Sequence, residues 1–181
     1  MKENEALFKY KLAIVTCIKN EGEYIKEWLD YHLLAGVEHF YIYDNNSEDN
    51  TREILQPYID KNIVDHISFP NDSTQMTIYY QAIQNYKFFC RYLAFIDVGE
   101  FIFPRNNKTI LEIINGILDI RPLAASLFVK GNYDNAHVKL ICNPRFIDIM
   151  LTPYSCNHFL DMYACDENGK VVMNDVHNDF P

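Results

Sequence analysis

Arg91-Tyr-Leu-Ala-Phe-Ile-Asp97-Val98-Gly99-Glu100-Phe101-Ile-Phe-Pro104 decides how this chain is read. Its first half is a continuous apolar run that ends abruptly in acid. A strand buried on both faces of a parallel sheet reads this way, because no alternation with solvent is imposed on it. In open α/β sheets, ligands bind outside the carboxyl ends of the strands. Asp97 and Glu100 are therefore expected at a ligand-bearing rim, where they would hold a metal or a polar ligand. The plainer reading is that Asp97 only caps the turn that follows a core strand.

The segments before this run have the same character. Residues 12–18 form a short β-branched run, read as the first buried strand. Lys19-Asn20-Glu21-Gly22 breaks it. Apolar residues then recur every four positions from Tyr24 to Val37, the stripe of an amphipathic helix, and Gly36 is a suitable stop. A second strand is predicted over 39–43. Asp44-Asn-Asn-Ser47 is turn chemistry, and Asp49 or Asn50 can cap a helix whose apolar face is Ile54, Leu55, Tyr58 and Ile59. Pro57 is expected to weaken or kink that helix. Residues 63–67 are a third strand and 74–89 a long helix. The order β-α-β-α-β-α-β predicts a mainly parallel sheet with helices on both faces.

After Pro104 the pattern changes. One more helix is predicted over 109–118, then strands over 124–129, 138–142 and 146–150, with a hairpin around Asp166-Glu-Asn-Gly169 and 171–173. No repeat, low-complexity segment or linker interrupts the chain. Its 181 residues fit a single domain, 1–181, with a ligand-binding half over about 1–104 and a shorter second half over 105–181.

Composition excludes several functions. At 49% hydrophobic and 14% aromatic residues, the chain is that of a folded globular protein. A formal charge of −9 argues against a nucleic-acid partner, which needs a clustered basic surface. It leaves room for a nucleotide, which needs a few local donors or one metal ion. The five cysteines form no C-x-x-C pair and read as buried free thiols of a reducing compartment. No signal peptide or membrane-length apolar run is evident, so the expectation is a cytoplasmic protein. Peripheral membrane association through a partner stays compatible with the sequence. The dinucleotide fingerprint, the P-loop and the hydrolase nucleophile elbow are all missing.

Three blocks carry a family resemblance: Ile14 to His32, Gly36 to Thr51, and Leu93 to Phe101. In this order they resemble the GT-A glycosyltransferases, in particular the family 2-like and family 92-like (DUF23-type) group. The resemblance implies a sheet that binds a nucleotide-diphospho-sugar, UDP-linked, with Mn²⁺ or Mg²⁺ on the diphosphate. It implies sugar transfer to a hydroxyl on a glycan or lipid-linked acceptor, in the setting of surface polysaccharide or lipopolysaccharide assembly. Carried over by position, Asp44 is the acceptor for the base, and Asn20 and Glu21 line the nucleoside pocket. Asp97 matches the first Asp of the family's Asp-x-Asp metal motif. Gly99 stands where the second belongs, and Glu100 matches the acid that follows. Lys139, in a Lys-x-Ile-x-x-Pro-like element, and His158 also match.

Further candidates come from the residues themselves. Gln75, at the start of a helix, is placed to touch the ligand. Lys139 is either a phosphate contact or a solvated edge residue. His158 is either a metal ligand, completing a set with Asp97 and Glu100, or a half-buried residue satisfied by the backbone. Trp28 and His32 read as packing residues of a helix face. Asp134, Asp148 and Asp161 are positional candidates for a catalytic base, and nothing in the sequence selects among them. The region that faces the acceptor in the family is shortened here. With Gly99, this keeps open a second reading: a degenerate GT-A domain that binds nucleotide-sugar without turnover.

Overall fold

The computed structural model describes residues 7–70, 75–104, 108–119, 124–129, 139–152, 155–158, 163–165 and 168–174. The first half alternates strand and helix as the sequence predicts: β1 (Tyr10–Ile18), α1 (Ile25–Leu34), β2 (His39–Asp44), α2 (Thr51–Asp60), β3 (Val64–Ser68), α3 (Gln75–Tyr86) and β4 (Cys90–Phe95). The second half contains α4 (Ile110–Ile114), β5 (Ala124–Val129), β6 (Lys139–Cys142), β7 (Ile147–Thr152), β8 (Ser155–His158), β9 (Tyr163–Cys165) and β10 (Val171–Asn174).

Eight strands form one sheet in the order β10-β9-β5-β6-β4-β1-β2-β3, and β7 pairs with β8 separately. Strands β1 to β4 are mutually parallel. Strand β6 then inserts antiparallel between β4 and β5. Because it runs backward, its amino end lies at the rim where β1, β2 and β4 finish. Lys139, the first residue of β6, is delivered to that rim and is buried. This corrects the reading of Lys139 as a solvated edge residue: an interior strand has no exposed edge, and KLIC alone does not reveal its neighbours.

Alternation along the strands builds two cores. Leu12, Ile14, Phe40, Ile42, Tyr92 and Ala94 pack under Trp28 and Leu29 of α1, Leu55 of α2 and Ile110 of α4. Ala13, Val15, Tyr41, Leu93 and Phe95 pack on the other face against Ile78, Tyr79, Ala82 and Ile83 of α3. Helices thus cover both faces, and period-two strands meet period-3.6 helical stripes.

Several boundaries differ from expectation. Helix α3 ends at Tyr86 rather than 89, because the apolar stripe stops there and Phe88 and Phe89 are exposed. Asp44 closes β2 instead of opening the turn. Asn50 precedes α2 without a side-chain capping bond. Asp49 instead accepts the Thr51 N–H at 3.1 Å and the Gly22 N–H at 2.9 Å. Pro57 sits inside α2 and on its exposed side, and the helix continues through it to Asp60. The last predicted helix splits: a Thr109/Glu112 capping box starts α4, and the chain then widens into a π turn over Asn115–Asp119. Cys90, Cys142 and Cys165 are buried and Cys17 is partly buried. No helix among the described residues is long and apolar enough to cross a membrane.

Candidate functional site

The rim is organised by the turn that follows β4. The Glu100 N–H donates to the Asp97 carbonyl at 3.1 Å, closing a four-residue turn. Gly99, the third residue, has φ +92°, a left-handed value that glycine reaches without a Cβ penalty. The glycine in the motif is therefore a backbone requirement of this turn. Its consequence appears one residue on: the Glu100 side chain folds back, and its Oε2 accepts the Asp97 N–H at 3.0 Å. Two carboxylates are thereby held beside one another.

Lys139 fastens both. Its Nζ lies 2.7 Å from Asp97 Oδ2 and 2.9 Å from Glu100 Oε2. Burial disfavours the ammonium, but the hydrogen bonds to Asp97 and Glu100 outweigh it and raise the Lys139 pKa. Asp97 Oδ1 accepts the Gln75 amide at 2.9 Å, and the Tyr79 hydroxyl is 3.5 Å away. The Gln75 amide also donates to that hydroxyl at 2.7 Å. Asp97 continues the alternation of Leu93 and Phe95 toward α3, so Gln75 and Tyr79, one helical turn apart, meet it. Burial, then the charge of Asp97, pushes the Tyr79 phenol up, so it stays protonated and able to donate.

A second group lies across β1. Strand β2 ends at Asp44 opposite Ile18 of β1, which in turn pairs with β4. Asp44 is therefore two strand spacings from the end of β4, roughly 10 Å along the rim. The Ser47 N–H donates to Asp44 Oδ1 at 2.8 Å, and His66 Nε2 is 2.9 Å from Oδ2. Burial opposes the charge on Asp44, and its bonds to Ser47 and His66 prevail, lowering its pKa. The Asn20 N–H donates to Ser47 Oγ at 2.9 Å, and Asn20 Oδ1 accepts the Glu48 N–H at 2.7 Å. Asn20 thus stitches the β1 and β2 loops together, at φ +58°. Glu21 follows Asn20 in the loop after β1, and its N–H donates to Thr51 Oγ1 at 3.0 Å. Burial, then the charges of Asp49 and Asp97, raises its pKa.

The structure therefore joins Gln75, Asp97, Glu100 and Lys139 by direct bonds, and Asn20 to Asp44 through Ser47. For His158 and Asp148 it describes only strand positions: His158 in β8 stands opposite Ile147, and Asp148 follows Ile147 in β7. Asp134 and Asp161 lie outside the described residues. Sequence reasoning missed Tyr79, Ser47 and His66 as members of the rim. The i,i+4 spacing of Gln75 and Tyr79 was the available signal for the first. It also read Trp28 and His32 as packing alone. The Trp28 indole N–H donates to the Glu100 carbonyl at 2.8 Å, the Tyr31 hydroxyl to the Ile102 carbonyl at 3.0 Å, and the Ile102 N–H to His32 Nε2 at 3.4 Å. Helix α1 clamps the segment leaving the turn.

A mainly parallel sheet covered on both faces, with an acidic turn after β4, defines the class as the GT-A glycosyltransferase fold. Solved structures agree. TarS of S. aureus, crystallised in complex with UDP-GlcNAc, superposes with a TM-score of 0.53 at 20% identity, covering 69% of this chain and 35% of that one. Glucosyl-3-phosphoglycerate synthase of Mycobacterium tuberculosis, crystallised with Mn²⁺, UDP and phosphoglyceric acid, gives 0.52 at 13% identity over 76% and 57%. Residues 13–139 match glycosyltransferase family 92, and the chain belongs to that family. A family 92 protein of Ricinus communis is 31% identical over 141 residues, 75% of this chain and 23% of the relative. One from Arabidopsis thaliana is 32% identical over 118 residues, 64% and 20%. The chain spans less than a quarter of the length of these curated relatives.

Proposed function

We propose that the chain transfers a sugar from a nucleotide-diphospho-sugar, UDP-linked, to a hydroxyl acceptor, with the donor lying along the carboxyl rim from Asp44 to Asp97. The observation that carries this reading is the Asp97–Glu100 turn, which sets two carboxylates side by side at the edge of the parallel strands. The family membership and the UDP or UDP-sugar bound by its structural neighbours support the same donor.

The donor set fits a divalent metal held jointly with the diphosphate. Such ions are bound through one or two carboxylates plus substrate phosphates rather than by a full protein cage. Among the described residues no three His, Cys, Asp or Glu side chains cluster as a cage. Asp97 and Glu100, which Lys139 joins, would supply two hard oxygen ligands. When bound, Mn²⁺ or Mg²⁺ neutralises charge on the departing diphosphate. The chain's own part is to keep the carboxylates in register: Lys139 bridges them, Gln75 and Tyr79 orient Asp97, and Trp28 holds the Glu100 backbone. Asp44 sits where the base would lie. Two of its lone-pair positions serve Ser47 and His66, and a carboxylate has about four in all, so it can accept one more N–H. The acceptor is a glycan or lipid-linked hydroxyl. The base that deprotonates it is sought among Asp134, Asp148 and Asp161.

Calorimetric titration of UDP in the presence of Mn²⁺, followed by release of UDP from UDP-sugars, tests the reading. Binding that Asp97→Asn abolishes, with turnover in the parent protein, is the expected result. No UDP binding would overturn it. Binding without turnover on any donor would favour the degenerate domain, the reading that Gly99 in place of a metal-motif Asp keeps in view.

A further inference from the structure

Lys139 lies deeper than the carboxylates it joins. Its side chain is 11% exposed, against 40% for Asp97 and 41% for Glu100. The ammonium is thus beneath the pair, and the outer faces of both carboxylates reach solvent. We infer that Lys139 is a resident counter-ion that makes the Asp97–Glu100 turn a poor site for a free divalent cation and a good one for a cation already carried by a nucleotide diphosphate. The inference rests on the nucleotide-sugar reading above.

The argument is electrostatic. Two carboxylates on one four-residue turn carry two negative charges, and the ammonium leaves a net negative charge of one on these three groups. Repulsion from Lys139 thus cancels about half of the pull that the two carboxylates exert on a bare dication. A dication bound to a diphosphate has its charge already offset, and the phosphate oxygens are drawn to the same ammonium. One positive group therefore acts with opposite sign on the two ligands. A unit charge one carboxylate away from a dication is worth roughly tenfold in affinity even at the dielectric of water. The anchoring is structural as well as electrostatic. The Lys139 backbone is fixed by the β6 ladder, with Leu140 opposite Phe95, and its ammonium is held by the two carboxylates it joins.

A lysine that served only to brace the turn would behave differently, because its loss would weaken both ligands together. Calorimetry on the whole chain separates the two roles. MnCl₂ alone, and UDP in saturating MnCl₂, are titrated into the parent protein and into Lys139→Gln, which keeps a donor for one carboxylate and removes the charge. The expected result is Mn²⁺ binding about tenfold tighter and UDP binding about threefold weaker in Lys139→Gln, because the nucleotide-bound ion carries about half the net charge. Lys139→Arg should keep both constants within about 1.5-fold of the parent. Lys139→Met is the second neutral variant if the first melts early. Weaker Mn²⁺ binding in the neutral variants, or unchanged UDP binding, overturns the role of Lys139 while leaving the nucleotide site intact. A parent protein that binds no UDP at all removes the nucleotide reading itself.

Discussion

The indole N–H of Trp28 donates to the backbone carbonyl of Glu100 across 2.8 Å and 72 positions of sequence. Trp28 is fully buried in the core, so the acidic turn is anchored to the buried face of the first helix. Trp28→Phe keeps most of the apolar volume and removes the donor. Loss of a bond that leaves a shielded carbonyl without its partner costs about 1–3 kcal/mol. The expected outcome is a melting temperature several degrees lower, with UDP affinity in Mn²⁺ down by several fold. An affinity equal to that of the parent protein would show that the turn holds itself.

Acid should loosen the same clamp. His32 is fully buried, and its Nδ1 lies 2.8 Å from the Trp28 carbonyl while the Ile102 N–H points at Nε2. This pattern fixes the neutral tautomer with its proton on Nδ1. Burial holds its pKa down at about 4, against 6.5 in the unfolded chain, and the bond to Trp28 offsets this only in part. Between these values the unfolded state binds the extra proton, so stability is fully present above pH 6.5 and is lost as pH falls toward 4. The span corresponds to about 3 kcal/mol. His39, lowered chiefly by burial against the pull of Asp65, adds in the same direction. Urea midpoints at pH 7.0, 5.5 and 4.5 should fall steadily for the parent protein and less steeply for His32→Asn. Identical slopes would exclude His32 as the titrating group.

The far end of β4 depends on a different pairing. Arg91 is buried at the start of the strand, with Nη2 2.7 Å from Asp119 Oδ2, and the Tyr92 hydroxyl donates to Oδ1 at 2.6 Å. One carboxylate at the end of the π turn thus fixes that turn to the strand. Asp119→Ala takes this partner from a buried guanidinium. Breaking buried pairs costs 3–5 kcal/mol, and the one-third exposure of Asp119 brings the expected loss to about 2–3 kcal/mol. Chemical denaturation would register it. Because this pair sits at the amino end of β4, away from the carboxyl rim, UDP affinity measured well below the melting temperature should not change.

The legible and illegible parts of the sequence divide along physical lines. Residues 12–18, 39–43 and 91–96 are apolar throughout or nearly so because helices cover both faces, and such runs identify themselves. The carboxylates that end them follow from topology once the strands are parallel. Lys139 was not legible in the same way. Its burial depends on β6 pairing with β4 over Leu93 to Phe95, and pairing partners leave no mark in local periodicity. Asn20 and Asp44 were legible as polar loop residues, but their bonds to Glu48, Ser47 and His66 depend on how two loops meet. Gly99 was visible as a departure from the motif, and only its positive φ shows that the turn itself requires it.

Gly99→Asp tests whether that glycine marks a lost ligand or a different way of supplying one. A Cβ at this position meets nothing within 4 Å, so the substitution is free of steric conflict. Its cost is the left-handed backbone, about 1–2 kcal/mol for a residue with a Cβ, with Asp among the more tolerant types. If Glu100, folded back against the Asp97 N–H, already supplies the second carboxylate, a third acid adds little. The expected outcome is a protein about 1 kcal/mol less stable, with Mn²⁺-dependent UDP affinity within about threefold of the parent. Glu100→Gln should then lower that affinity tenfold or more, a loss of about 1.4 kcal/mol. The reverse pattern, with Gly99→Asp raising affinity strongly and Glu100→Gln leaving it unchanged, would mean that Glu100 only braces the turn and that the site has lost a ligand.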